Sequence, residues 1–348
     1  MAVDSLGFLD AVAGLPEQLE VAHEAAAEVD LSSLPAGDAI DSIAVLGMGG
    51  SGIAGDVLQA VGSSLPVPVV VLKQYRTPAF IGPRTLVFAL SYSGNTEETV
   101  SMTRGAFEAG ASVVTVACGG ALDELAAQHR GVRISCPIGL MPRGALGALL
   151  APLFVTVFRL GIFPEAHAGL VKAQQQLARR RDQCRPDVEA AKNPARELAR
   201  RIGRTIPLVY GGGALGAVAA RRFKNDVNEN AKAPAFWAAY PELDHNEICG
   251  WGQHGDVTRQ VLSLVQLRHG FEHPRLSEQM VLARDMIEEV FVQVLEVEAE
   301  GEGRLAQLLD LMYLGTWASC YLALDNDVDP GPIDAIAQLK AALGPIQS

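Results

Sequence analysis

Ile43–Ala60 reads IAVLGMGGSGIAGDVLQA. A short apolar run ends in a cluster of glycines, and a run of helical character follows. Strand, tight turn and helix in that order open a βαβ unit, because glycine lets the chain leave a buried strand and enter a helix at once. Gly47-Met48-Gly49-Gly50-Ser51-Gly52 also matches the spacing G-x-G-x-x-G. In a dinucleotide site an acid follows about 20 residues on, at the end of the second strand, to bind the ribose hydroxyls. Leu72, Lys73 and Gln74 occupy that place. The loop is therefore read as a phosphate-type turn without a nicotinamide partner.

The alternation continues outward. SIAVLG (42–47), VPVVVL (67–72), TLVFALS (85–91), SVVTVAC (112–118) and GVRISC (131–136) read as strands separated by helical stretches. Residues 4–30 are acidic and amphipathic, with Leu6, Leu9, Leu15, Leu19 and Val29 on the apolar positions, so 1–40 is a helical lead-in. GALGALLAPLFVTVF, between Arg143 and Arg159, predicts a buried helix and a candidate subunit interface. It is shorter than the ~20 residues a membrane span needs, so no membrane partner is expected. Residues 164–204 read as connecting helices. IPLVYGGGALGAVAARRF (206–223) then restarts the strand–glycine–helix pattern. AFWAAY (235–240), RQVLSLVQLR (259–268) and VFVQVLEVEA (290–299) are further strands, with helices at 275–289, 303–325 and 332–343. The expected fold is α/β, with two doubly wound parallel-sheet domains at 41–163 and 205–348 flanked by helices.

Composition narrows the function. A formal charge of -12 is the wrong sign for a nucleic-acid partner. Arg179, Arg180, Arg181 and Arg185 form the one basic cluster of note and read as a solvated helix face. The 5 cysteines are odd in number, widely spaced and without a C-x-x-C pair, which fits reduced thiols in a cytoplasm. No Lys or Arg precedes Lys73, so no positively charged signal-peptide start is present.

LSYSGNTEET (90–99) carries Ser91, Ser93, Asn95, Thr96 and Thr99 across a strand-to-helix turn. Hydroxyls and free N–H groups at a helix N-terminus suit a phosphate, and Gly50 and Ser51 of the first loop belong at the same sheet edge. The competing reading of any one of these hydroxyls is a plain helix cap. The stretch resembles the phosphosugar-binding loop of sugar isomerase (SIS) domains. MPRGALGALLAPL (141–153), NENAKAPAFWAAYPELDHNEICGW (228–251) and LRHGFEHPR (267–275) resemble the bifunctional phosphoglucose/phosphomannose isomerases. The resemblance runs from about Ser42 to the end. It implies two SIS-type domains and a cofactor-independent aldose–ketose isomerase acting on glucose 6-phosphate, fructose 6-phosphate and mannose 6-phosphate. Gly50, Ser51, Ser91, Ser93 and Thr96 would bind the phosphate.

Such an enzyme moves a proton between C1 and C2 of an open-chain sugar. By resemblance Glu229 is the base, since one carboxylate can take a proton from one carbon and return it to the next. His245 matches the ring-opening histidine, suited by a pKa near neutrality. The family is dimeric and supplies that histidine from the neighbouring subunit, which implies a homodimer. Arg143 matches the cation that steadies the enediolate, against the alternative of a helix-end arginine. Lys340 matches a lysine that reaches the site, against the alternative of an exposed surface lysine. His245, Glu247, Cys249 and His254 fit no standard zinc spacing, so no metal is expected. In DVDPGP, Gly331 stands where many relatives carry threonine. A catalytically silent sugar-phosphate sensor with this fold is the second functional reading; the presence of Glu229, His245 and Arg143 speaks against it.

Overall fold

A computed structural model of the chain describes residues 3–344. Two short helices, α1 (Phe8–Ala13) and α2 (Leu15–Ala27), precede the first sheet. Its five strands are β1 (Ser42–Gly47), β2 (Val69–Leu72), β3 (Thr85–Leu90), β4 (Ser112–Ala117) and β5 (Val132–Ser135), all parallel, in the order β2-β1-β3-β4-β5. Ala44 pairs with Val70 on one side and Val87 on the other. β1 and β3 are buried over nearly their whole length, which is why they read as continuous apolar runs: helices cover both faces. The crossovers are α3 (Gly49–Val61), α4 (Glu97–Glu108) and α5 (Gly120–His129).

The second sheet holds β6 (Ile206–Gly212), β7 (Phe236–Tyr240), β8 (Leu262–Arg268) and β9 (Gln293–Glu298), parallel, in the order β7-β6-β8-β9. Between the sheets run α6 (Leu146–Arg159), α7 (Ala166–Cys184) and α8 (Pro194–Ile202). The later helices are α9 (Gly213–Asn230), α10 (Gly255–Val261), α11 (Pro274–Ile287), α12 (Arg304–Asp325) and α13 (Asp334–Leu343). Each sheet begins on an inner strand whose neighbours on either side come later in the chain. That is a topological switch point, and a crevice opens there beyond the carboxyl ends of the strands. In the first sheet it lies between β1 and β3.

One core joins the two halves. α6 is buried from Leu146 to Val157 under α2, α3 and α7. The apolar run read as a candidate subunit interface is thus already covered within one chain. α12 is buried from Leu305 to Ala323 against α7, α8 and α9. Each such leucine or phenylalanine contributes roughly 1.5–3 kcal/mol by leaving water.

Three expectations need correction. Arg180 is buried, not solvated: it donates from Nε and Nη2 to Asp310 on α12, at 2.8 and 2.7 Å. Its partner lies 130 residues away, so the local polar composition gave no sign of it. The first part of the 259–268 stretch is helical. α10 ends at Val261 and β8 starts only at Leu262, because Val257 and Val261 project to solvent while the sheet takes up the residues from Leu262 on. Leu6 is exposed, whereas Leu9, Leu15 and Leu19 are core.

Candidate active site

The crevice between β1 and β3 brings together the two loops that the sequence marked. Gly49, at φ 48°, turns the chain into α3 in a left-handed conformation that glycine adopts freely. A Cβ on Gly50 would stand 2.9 Å from the Arg143 Cα, so only glycine lets this loop lie against the main chain of Pro142 and Arg143. Ser51 is buried, and its Oγ accepts the Tyr92 N–H at 3.2 Å. Among the described residues no acceptor takes the Ser51 hydroxyl proton. Ser91 Oγ and Thr96 Oγ1 share a hydrogen bond of 2.8 Å, and Ser91 Oγ also accepts the Thr96 N–H. The Asn95 N–H donates to Ser93 Oγ. These contacts fold 91–96 into a compact turn over the start of α4, whose first N–H groups point out of the helix end.

Arg143 follows β5 and is 4 % exposed. Its Nε donates to Asn230 Oδ1 at 2.9 Å, and its Nη2 donates to the carbonyls of Pro330 and Gly331, both at 2.6 Å. Nη1 takes part in none of these bonds. The guanidinium lies 4.2 Å over the Phe8 ring. Asn230 ends α9, and its Nδ2 donates to Ser319 on α12. The same helix carries Glu229. Burial first, and Asp226 second, push the Glu229 carboxyl above the usual range, while Arg222, Arg143 and Lys224 pull it down. Asp226 is fully buried, accepts from Arg222 Nε at 2.9 Å and from Thr316 Oγ1 at 2.6 Å, and is itself pushed up by burial. Arg222 Nη2 in turn donates to the Arg143 carbonyl at 2.8 Å. A single network thus ties the cation candidate to the helix that carries the base candidate, from opposite halves of the chain. The buried carboxylate of Asp226 is its central acceptor.

Lys340 is exposed on α13, on the wall of a cavity of about 620 Å³ that it shares with Ser93, Asn95 and Thr96. It therefore faces the hydroxyl loop. His245 closes a short 3-10 turn, Glu242–His245, beyond the edge strand β7, and is exposed. Among the described residues no hydrogen bond or ion pair joins it to Glu229. The exposed Phe236 and Trp237 lie on the same edge strand. Gly331 packs against the lead-in: a Cβ there would stand 2.9 Å from the Leu6 Cβ. The described residues hold no cluster of three or more His, Cys, Asp or Glu side chains placed to hold a metal ion.

Phe8, Asn230, Arg222 and Tyr92 went unmarked in the sequence. Arg222 lies two turns before Glu229 on the same helix face, where helical spacing could have drawn attention to it, whereas Asn230, the immediate neighbour of Glu229, points to another face. Phe8 belongs to a segment read only as a lead-in, 135 residues from its cation. Lys73, which displaced the dinucleotide reading, pairs with buried Asp56 on α3 at 2.5 Å, and Arg221 of α9 reaches the same carboxylate at 2.5 Å.

Two parallel sheets with a hydroxyl-lined switch point between β1 and β3 define a double-SIS protein of the phosphosugar-isomerase fold. A crystal structure of a glucose-6-phosphate isomerase like protein from Thermus thermophilus has this fold, at TM-score 0.59 and 22 % identity over 92 % of this chain and 96 % of that one. Residues 191–343 match the bacterial phospho-glucose isomerase C-terminal SIS domain. The bifunctional phosphoglucose/phosphomannose isomerase of Caldicellulosiruptor bescii is 34 % identical over 98 % of this chain and 100 % of its own length. That of Aquifex aeolicus is 31 % identical over 86 % of this chain and 90 % of its own. This chain belongs to the bifunctional phosphoglucose/phosphomannose isomerase family.

Proposed function

We propose that the protein interconverts glucose 6-phosphate and fructose 6-phosphate, with mannose 6-phosphate as a second aldose, by proton transfer through a shared enediolate. The observation that carries this reading is the half-buried Glu229 carboxyl within the field of the buried Arg143 guanidinium, whose main chain rests on Gly50 of the first glycine loop, in a chain of this family. In the proposed site the phosphate sits on the N–H and hydroxyl groups of Gly50, Ser51, Ser91, Ser93 and Thr96, with Lys340 closing over it. Glu229 takes the C2 proton of the open-chain aldose. The electron pair moves to make the C1–C2 double bond, and the carbonyl oxygen at C1 becomes the enediolate oxygen that Arg143 steadies. The O2 hydroxyl proton passes to O1, Glu229 returns its proton to C1, and the C2 oxygen becomes the ketone. In the reverse direction, return of the proton to one face of C2 gives glucose and to the other gives mannose, so one enediolate serves both epimers. Burial favours this chemistry, because the Arg143 charge counts for more where water is excluded.

Ring opening falls to His245, passing a proton between the ring oxygen and O1. Its exposed position beyond β7 fits a histidine supplied to the site of a second copy, so the working unit is a homodimer in the cytoplasm. The proton moves within one substrate, and no cofactor takes part in the proposed steps. A coupled assay tests the reading. Purified protein given fructose 6-phosphate should release glucose 6-phosphate, and mannose 6-phosphate should yield fructose 6-phosphate. Tight binding of these sugars without any product would instead favour a sensor.

A further inference from the structure

The geometry points to Tyr92 as a positioning residue that fastens the segment carrying Arg143 to the loop that takes the phosphate; this rests on the isomerase reading. Tyr92 sits within the hydroxyl loop but is not one of its hydroxyl donors. Its main chain is fixed at both ends: the N–H donates to Ser51 Oγ at 3.2 Å, and the carbonyl accepts the Cys118 N–H at 2.9 Å. Its side chain is buried and turns away toward residues 137–140. There one phenolic oxygen makes two bonds. It donates to the Pro137 carbonyl at 2.8 Å and accepts the Leu140 N–H at 2.7 Å. The segment 137–141 has no regular structure, and Ile138 within it is 84 % exposed. Leu140 is three residues from Arg143, whose main chain rests on Gly50 of the other phosphate loop.

The consequence is a closed circuit. Ser51 holds Tyr92, Tyr92 holds Leu140, and the short turn Pro142–Gly144 carries Arg143 back against Gly50. Order imposed on 91–96 by a bound phosphate passes through one hydroxyl to the residue that meets C1 and C2. Burial pushes the phenol up to about 12, so it remains a donor at every pH the enzyme would meet. A tyrosine that merely filled space would need no hydroxyl, and phenylalanine would serve.

Tyr92→Phe removes that one oxygen and leaves the ring. In the coupled assay kcat should fall about tenfold while KM changes less than about threefold, the split expected when the phosphate anchor survives and alignment at the reacting carbons is loosened. Hydrogen–deuterium exchange gives a second readout that needs no turnover. The Leu140 amide should exchange at least about tenfold faster in the variant, with 91–96 unchanged. Inorganic phosphate should slow exchange across 137–141 in the wild type and leave it unaffected in the variant. In an Arg143→Ala background, Tyr92→Phe should cost nothing further. A kcat within twofold of wild type, an equally protected Leu140, or an equal extra loss without Arg143 would each overturn the proposal. Should the wild type turn over no hexose phosphate, the isomerase reading fails, and exchange at Leu140 with phosphate still decides the clip.

Discussion

At the scale of single residues, the site depends on how much negative charge the last turn of α9 can hold. Glu229 shares that turn with Asp226, and both carboxyls are raised by burial. The native state therefore holds protons that the unfolded chain releases. The contribution of these groups to stability is complete below their unfolded values and declines as pH rises through the folded ones. A base must be ionised to act, so the acid limb of kcat/KM should lie above the ordinary glutamate range. Asp226→Asn removes the nearer negative charge, lowers the Glu229 pKa and should move that limb to lower pH. A limb that stays put would mean that Asp226 does not act on the base. The same change leaves Arg222 buried without its carboxylate, which should cost about 3–5 kcal/mol in urea unfolding. Glu229→Gln keeps shape and hydrogen bonding while removing the base. Turnover should drop at least about 10²-fold, with sugar-phosphate affinity, measured by calorimetry, within a fewfold of wild type.

At the scale of elements, α13 differs from every other long helix. No residue of it is buried, yet Ile336, Leu339, Lys340 and Leu343 share one face, and that face lines the cavity over Ser93 and Thr96. Ending the chain after Pro332 should therefore change unfolding free energy by no more than about 1 kcal/mol. KM for a phosphorylated substrate should rise about tenfold as the Lys340 charge is lost. A large drop in stability would show that α13 belongs to the core. The strands were legible because period and length are local properties: β1, β3 and β4 begin where the apolar runs begin. The hydroxyl loop was legible for the same reason, with five Ser, Thr or Asn residues in nine positions. The supports of the site were not. Phe8 beneath Arg143, Asp310 beside Arg180 and Tyr92 over Leu140 are contacts between distant segments, and a run of neighbouring letters carries no trace of them. α10 was missed because its two valines face solvent, so its apolar residues say nothing about a core.

At the scale of the whole molecule, the proposed site takes its carboxylate, guanidinium and phosphate cradle from one chain, while that chain displays His245 on its surface. Phe236 and Trp237 on the edge strand β7 give that edge of the second sheet exposed apolar side chains. A second copy docked there would cover them, and two-fold symmetry would build two identical sites, each drawing His245 from the opposite chain. Complementation decides between this and action within one chain. Glu229→Gln alone and His245→Ala alone should each be inactive. Mixed, dissociated and reassociated in equal amounts, they form heterodimers in which one site carries both lesions and the other carries none. Half of the dimers are mixed and each regains one site of two, so activity should return to about a quarter of the wild-type level. If His245 served its own chain, every site in the mixture would retain one lesion and no activity would return.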